Sequence, residues 1–357
     1  MRRLERFQRE LDVLGADGAI ISSELNIHYL CGFDYTDGYL LVLRNRAYLL
    51  TDFRYAEAAR LAVSDFEVRV PTDGMFSAIS SLAKENGAVT LAIEDTDVSV
   101  HTFEKMRESM HDVTLATGAS AVLTEMRTVK DADELSLIIK AQSITDAAFD
   151  HILGFITPER TEREVALELE FFMRKHGAEA CAFDTIAVSG AASSLPHGVP
   201  SDKKLSRGFL TMDFGAKYAG YCSDMTRTVV IGKADGEMKK VYGTVLRAQL
   251  AALDALHEGI SCREADAIAR IVINDAGYGE CFGHSLGHGV GLYIHESPSF
   301  SPKAKDGSVL RRGNIVTVEP GIYIEGKYGV RIEDMIAVDE NGVVINLTHS
   351  PKHLIEI

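Results

Sequence analysis

The chain has 357 residues, more than one hydrophobic core usually organises, so two domains are expected. A hydrophobic share of 46% with a charged share of 25% describes an ordinary globular protein and excludes a disordered or fibrous chain. A formal charge of -15 repels polyanions at long range, which argues against nucleic acid or an anionic membrane as partner.

In chain order, residues 3–14 alternate charged and apolar groups as an amphipathic helix does, with no apolar core of the kind a signal peptide needs. The apolar runs GAIIS, YLLVL, AYLLTD and VTLAIED follow, and a helical stretch begins at Tyr55. Short strands separated by helices predict an α/β domain with a parallel or mixed sheet. Near Thr124 the texture turns charged and then helix-periodic for many turns, which divides the chain into residues 1–122 and 123–357. No run approaches the roughly 20 apolar residues of a membrane span. Five cysteines (Cys31, Cys181, Cys222, Cys262, Cys281), odd in number and never spaced C-x-x-C, suit free thiols in a reducing compartment, so the cytoplasm is the expected location.

The second part carries an internal repeat. Thr161-Glu162-Arg163-Glu164 and Ser261-Cys262-Arg263-Glu264 each open a helix with a capping box, and Gly177 and Gly277 are placed to close them. A further helical stretch precedes each box, 133–155 in one case and 238–257 in the other. The stripe Val165, Leu169, Phe172 and Met173 reads as core. After each helix pair comes a strand with a carboxylate and then a glycine: Thr211-Met212-Asp213-Phe214-Gly215, and Thr317-Val318-Glu319-Pro320-Gly321. A second carboxylate follows each, Asp224 and Glu333. Any one of these acids alone reads as a solvated strand or turn residue; their matched placement does not. Acids converging in an interior repel one another unless cations neutralise them, and divalent metals do so.

Such a centre also wants a nitrogen donor. His288 lies in Gly287-His288-Gly289-Val290-Gly291, where glycines permit close backbone approach. Other motifs in this stretch fail on context. His295-Glu296 begins like a zincin, but Ser299 stands where H-E-x-x-H needs histidine. Gly283-His284-Ser285-Leu286-Gly287 matches G-x-S-x-G, which would make Ser285 the nucleophile of a serine esterase, yet no strand precedes it and no helix follows. The glycine spacing suits neither a dinucleotide fold nor a phosphate loop.

Together PHG, TMDFG…YCSDMTRT, GHSLGHGVGLYIHESP, TVEPGIY and GVRIEDM resemble the metal-dependent peptidases that include aminopeptidase P, prolidase (Xaa-Pro dipeptidase) and methionine aminopeptidase. The resemblance implies a pita-bread α+β catalytic domain with an internal pseudo-two-fold repeat. It also implies a creatinase-like α/β N-terminal domain, since NIHYLCGF and TDFRY resemble the proline-specific branch. Carried over by position, the metal ligands would be Asp213, Asp224, His288, Glu319 and Glu333, holding two divalent ions, manganese or cobalt with zinc or iron as alternatives. Asp224 and Glu333 would bridge the ions, and a water between them would be the nucleophile. Glu319 would shuttle a proton, His295 would donate to the oxyanion, and His197, His284 and Arg331 would shape the proline side. Non-catalytic binding relatives share the fold, but the intact ligand set argues against that outcome. Small proline-containing peptides are the implied partners, with a homodimer in which loop 33–38 of a partner approaches the site. A strict dipeptidase needs a basic group for the terminal carboxylate, an aminopeptidase P does not, and Arg331 alone does not decide between them.

Overall fold

The computed structural model describes residues 2–357. By its internal packing the chain divides into one unit ending at Arg127 and another beginning at Thr128.

In the first unit, α1 (Arg3–Glu10) ends short of the expected residue 14 because the chain turns back at Gly15, whose φ of 61° only glycine adopts freely. Then come β1 (Gly18–Ile21), α2 (Glu24–Cys31), β2 (Gly38–Leu43), β3 (Ala47–Thr51), α3 (Phe53–Ala62) and β4 (Glu67–Arg69). After these follow α4 (Met75–Glu85), β5 (Thr90–Ile93), α5 (Val100–Ser109), β6 (Thr114–Ala116) and α6 (Ala119–Thr128), the last spanning the expected division at 122/123. The sheet order is β4-β3-β2-β1-β5-β6. It is mixed, with β1, β2 and β3 antiparallel and the outer pairs parallel. The uninterrupted apolar runs of β1 and β3 are buried along their whole length, as strands covered on both faces must be. On one face Ile20, Leu41 and Leu91 pack against Ile79 and Leu82 of α4 and Met106 of α5.

The second unit is built twice over. Its first half runs α7 (Ala132–Phe155), α8 (Glu162–Lys175), β7 (Ala180–Cys181), β8 (Ile186–Ser189), β9 (Gly208–Phe214), β10 (Ala216–Tyr218), β11 (Tyr221–Cys222) and β12 (Met225–Ile231). Its second half runs α9 (Gly236–Ala255), α10 (Cys262–Asp275), β13 (Gly287–Gly289), β14 (Glu296–Phe300), β15 (Ile315–Val318), β16 (Gly321–Ile324), β17 (Tyr328–Arg331), β18 (Asp334–Val338) and β19 (Val344–Asn346). The antiparallel trio β12-β9-β8 of one half recurs as β18-β15-β13 in the other. Even the lone bridges recur, Thr161 with Lys204 and Ser261 with Val309.

Local chemistry explains the helix starts. Thr161 and Glu164 exchange both hydrogen bonds of a capping box, and so do Asp131 and Glu134 at the head of α7. At α10 only one arm is seen, the Glu264 N–H donating to the Ser261 hydroxyl at 3.1 Å. Each helix pair covers its own half-sheet: Ile144, Phe149, Val165, Leu169 and Met173 meet Leu210, Met212 and Val229, while Val241, Val245, Ala265 and Ile273 meet Val316, Val318 and Ile336. Each of these side chains other than that of Ala265 stabilises the fold by about 1.5–3 kcal/mol of apolar burial. Phe172 departs from the expected core stripe: it is only partly buried, stacked between the rings of His151 and His176. The halves meet where the Glu333 N–H donates to the Thr226 carbonyl (3.1 Å) and the Thr228 hydroxyl donates to the Arg331 carbonyl (3.0 Å). That seam places the acids of both halves side by side.

Candidate metal centre

Asp213 sits near the end of β9, opposite Thr226 of β12, and Asp224 lies two residues before Thr226. A strand period of two therefore turns Asp213 and Asp224 to one face. In the second half the last ladder pair is Val318 with Asp334, so Glu319 and Glu333 are the next residues beyond the ladder and stand beside each other. His288 comes from β13, between β14 and β15. The glycines around it are steric necessities: a Cβ on Gly287 would lie 1.9 Å from the Thr317 carbonyl oxygen, and one on Gly289 would lie 2.3 Å from that of Ser297.

All nine residues expected from the sequence line one cleft of about 840 Å³. Asp224, His288 and Glu333 offer donor atoms within 4.8 Å of one another. The His288 Nε2 is 3.6 Å from Asp224 Oδ2 and 3.4 Å from Glu319 Oε1. Asp213 Oδ2 accepts from Arg331 at 2.6 Å, and its Oδ1 is buried with no protein donor. His197 and His295 stand at exposed positions, His295 with its ring 4.4 Å from that of His288.

The electrostatics of this set are unfavourable as the side chains stand. Burial, followed by repulsion from Glu333, Asp213 and Glu319, pushes the Asp224 carboxyl well above its ordinary range. Burial, followed by Glu319 and Asp213, does the same to Glu333. Glu319 is pushed up to about 8, mainly by burial, even with Arg331 nearby to oppose it. Burial lowers His288, and the Gly289 carbonyl accepts its Nδ1–H at 3.1 Å. The imidazole therefore turns an Nε2 lone pair toward carboxylate oxygens that also carry lone pairs. Cations among these atoms relieve every one of these conflicts, including the orphaned Asp213 Oδ1. The donor set, oxygen-rich with one nitrogen, fits divalent metal ions.

Supporting groups lie behind the acids. The Thr226 hydroxyl donates to Glu333 Oε2 at 2.7 Å and the Thr317 hydroxyl to Glu319 Oε1 at 3.2 Å. Arg331 reaches Asp213, the Thr226 hydroxyl (2.9 Å) and the Tyr323 hydroxyl (2.7 Å). Tyr323 also meets His284 Nε2 at 2.9 Å. Two buried carboxylates then anchor the histidine loops. Glu162 accepts from the backbone and hydroxyl of both Ser189 and Ser201, bracketing the loop that carries His197. Asp266 accepts from the Leu286 N–H and from Arg270, which in turn donates to the Phe282 and His284 carbonyls. Of these helpers the sequence flagged only Arg331; Tyr323 was visible merely as part of TVEPGIY.

This geometry has close parallels. The sequence matches the profile of metallopeptidase family M24 over residues 136–340 and that of the creatinase/prolidase N-terminal domain over residues 3–129. The chain belongs to metallopeptidase family M24. Among its M24 relatives, the Xaa-Pro dipeptidase of Pyrococcus furiosus is 39% identical over 99% of both chains. The structure of an Xaa-Pro dipeptidase from Bacillus anthracis superposes with a TM-score of 0.95 at 42% identity, covering 99% of each chain. An X-Pro aminopeptidase from Thermotoga maritima gives 0.91 at 38%, covering 98% of this chain and 100% of that one. As an M24 protein the chain is a metallopeptidase that works with divalent metal ions, and its two units have the creatinase-like and pita-bread folds. The serine-esterase alternative is not supported: Ser285 lies in a loop that runs into strand β13, so the strand-to-helix elbow that motif requires is absent.

Proposed function

We propose that the protein hydrolyses the peptide bond between an N-terminal residue and proline, with two divalent ions held by Asp213, Asp224, His288, Glu319 and Glu333. The observation that carries this reading is the gathering of four mutually repelling carboxylates beside one imidazole, whose Nε2 lies within 3.6 Å of two of them, a set that repels itself until cations enter. Manganese or cobalt suits its oxygen-rich character, with zinc or iron as alternatives. Such ions supply Lewis acidity and make a water nucleophilic near neutral pH. The relatives named for Xaa-Pro bonds support the choice of substrate.

The chain's own residues do the rest. Glu319, oriented by the Thr317 hydroxyl, takes a proton from the attacking water and passes it to the departing proline nitrogen. His295 donates a ring N–H to the carbonyl oxygen as negative charge gathers there. His197 and His284 flank the proline, and Arg331 fixes Asp213 and Tyr323 in place. Proline calls for a dedicated enzyme because its amide nitrogen carries no hydrogen and its ring locks φ, so a site that grips a backbone N–H fails there.

The test is hydrolysis of Ala-Pro by protein stripped with a chelator and then given manganese or cobalt. Activity should vanish and return, and Asp224→Asn, folded by circular dichroism, should lose about 100-fold or more. Undiminished hydrolysis by the stripped protein would overturn the reading.

We infer further that the working form is a cytoplasmic homodimer in which the loop from Phe33 to Gly38 of one copy approaches the cleft of the other. The free thiols at all five cysteines support a reducing compartment. No helix of the described residues is long and apolar enough to cross a membrane. Phe53, 82% exposed beside the Arg54–Asp37 pair, supports a covered surface near that loop. Light scattering should give twice the chain mass; a monomer would sink the dimer.

A further inference from the structure

An Xaa-Pro dipeptide ends in a carboxylate one residue past the bond to be cut. An enzyme confined to dipeptides therefore needs a cation beside the proline, since a carboxylate taken from water without a partner costs several kcal/mol. The charges of the cleft can be followed one by one.

Among the described residues lining the cleft, Arg331 is the sole arginine or lysine. Its guanidinium is already committed, to Asp213 (2.6 Å), the Tyr323 hydroxyl (2.7 Å), the Thr226 hydroxyl (2.9 Å) and the Pro196 carbonyl (3.4 Å), and the residue is only 4% exposed. Releasing it would strand Asp213 and Tyr323 in the interior. The Lys130 ammonium reaches cleft-lining Glu296 from behind and is held there at 2.9 Å, with side-chain exposures of 2% and 3% for the pair. Both ring nitrogens of His284 are engaged, Nδ1 by the Ser285 carbonyl and Nε2 by the Tyr323 hydroxyl. The exposed charge on the wall is of the wrong sign: Asp184 would repel a carboxylate. Apart from the imidazoles of His197 and His295, which the reading above assigns to the proline ring and the carbonyl oxygen, the remaining wall is largely apolar, formed by Phe183, Ile186, Val199, Pro200 and Ile294, with Val199 82% exposed. At about 840 Å³ the cleft lies in the upper part of the roughly 300–1,000 Å³ range of small-molecule sites and is larger than a dipeptide needs.

We propose that the cleft is built for peptides whose chain continues past proline, X-Pro-Y and longer, so that an uncharged amide rather than a terminal carboxylate meets this wall. The proposal rests on the Xaa-Pro reading above and specifies its substrate class. The dipeptide remains a substrate, with its carboxylate turned to water, but holds no advantage.

The experiment compares kcat/KM of the metal-loaded protein for Ala-Pro, Ala-Pro-amide and Ala-Pro-Ala. The amide and the tripeptide should match the dipeptide or exceed it severalfold. A preference of roughly 100-fold or more for Ala-Pro, the discrimination of a site built around a charge pair, would overturn the proposal and show that a cation from outside the cleft completes the site. Inertness toward all three, with every metal tried, would sink the Xaa-Pro reading itself and this inference with it.

Discussion

Glu333 and Asp334 are neighbours in sequence, equally buried at 1% and 0% exposure, and opposite in electrostatic fate. Glu333 faces the cleft, where one hydroxyl, that of Thr226, meets it and three other acids repel it, so its carboxyl lies well above the ordinary range. Asp334 faces away. Burial by itself would raise Asp334 too, but Arg227 (2.8 Å), Lys352 (2.7 Å) and the Asn346 amide (2.7 Å) hold it below the ordinary range. Arg227 also donates to the carbonyls of Thr226, Glu333, Ser350 and Pro351, which satisfies its four remaining N–H groups. Burial is thus common to both faces of the seam, and charge balance separates them. A fold that compensates one carboxylate so fully and leaves the next one uncompensated marks the second for a ligand.

The contrast can be broken first on its compensated side. Arg227→Met leaves Asp334 with Lys352 and Asn346 alone and should destabilise the protein by about 3–5 kcal/mol, the usual cost of removing one partner of a buried pair. Thermal unfolding measures it, and a melting temperature unchanged from wild type would mean that Lys352 balances Asp334 unaided.

A smaller effect sharpens the cleft side. Burial, reinforced by Arg331, lowers the His284 pKa to about 4, below its ordinary 6.5. Between those values the unfolded chain binds the proton and the folded one refuses it. The stability due to neutral His284 is therefore fully present above pH 6.5 and lost as the pH falls toward 4, on the order of 3 kcal/mol. In His284→Gln the pH dependence of denaturant melts should flatten across that window; an identical slope would mean that the ring titrates normally.

The smallest change is the most pointed. Glu333→Gln removes one repelling charge while its amide oxygen can still accept from Thr226, so the metal-free protein should gain up to about 1 kcal/mol. Its further stabilisation by manganese should fall below that of wild type. A metal-free loss comparable to that of Arg227→Met would show the two faces to be alike.

Much of the site was legible in the sequence. Two capped helix pairs, each followed by a carboxylate-bearing strand, announced the repeat, and glycines around His288 announced a close backbone approach. Those are local signals, set by residue type and spacing over a few positions. The strand trio itself was not legible, because its partners lie in distant segments and β13, three residues long, has no periodicity to read. The D-x-x-E box at Asp131 was a local signal passed over. The clamps of Glu162 and Asp266 on the histidine loops carried no motif at all, since each joins residues from separate turns of the fold.

The sequence by itself determined the donor set: which acids and which imidazole could meet, and that the two halves supply them in parallel. Only the tertiary structure decided which charges are balanced. Arg227 and Asp334 stand 107 positions apart and Arg331 and Asp213 stand 118 apart, so their pairing is set by the register of strands across the seam. Coulomb energies depend on distances of a few ångströms in a low-dielectric interior, and those distances exist only once the two halves have closed on each other.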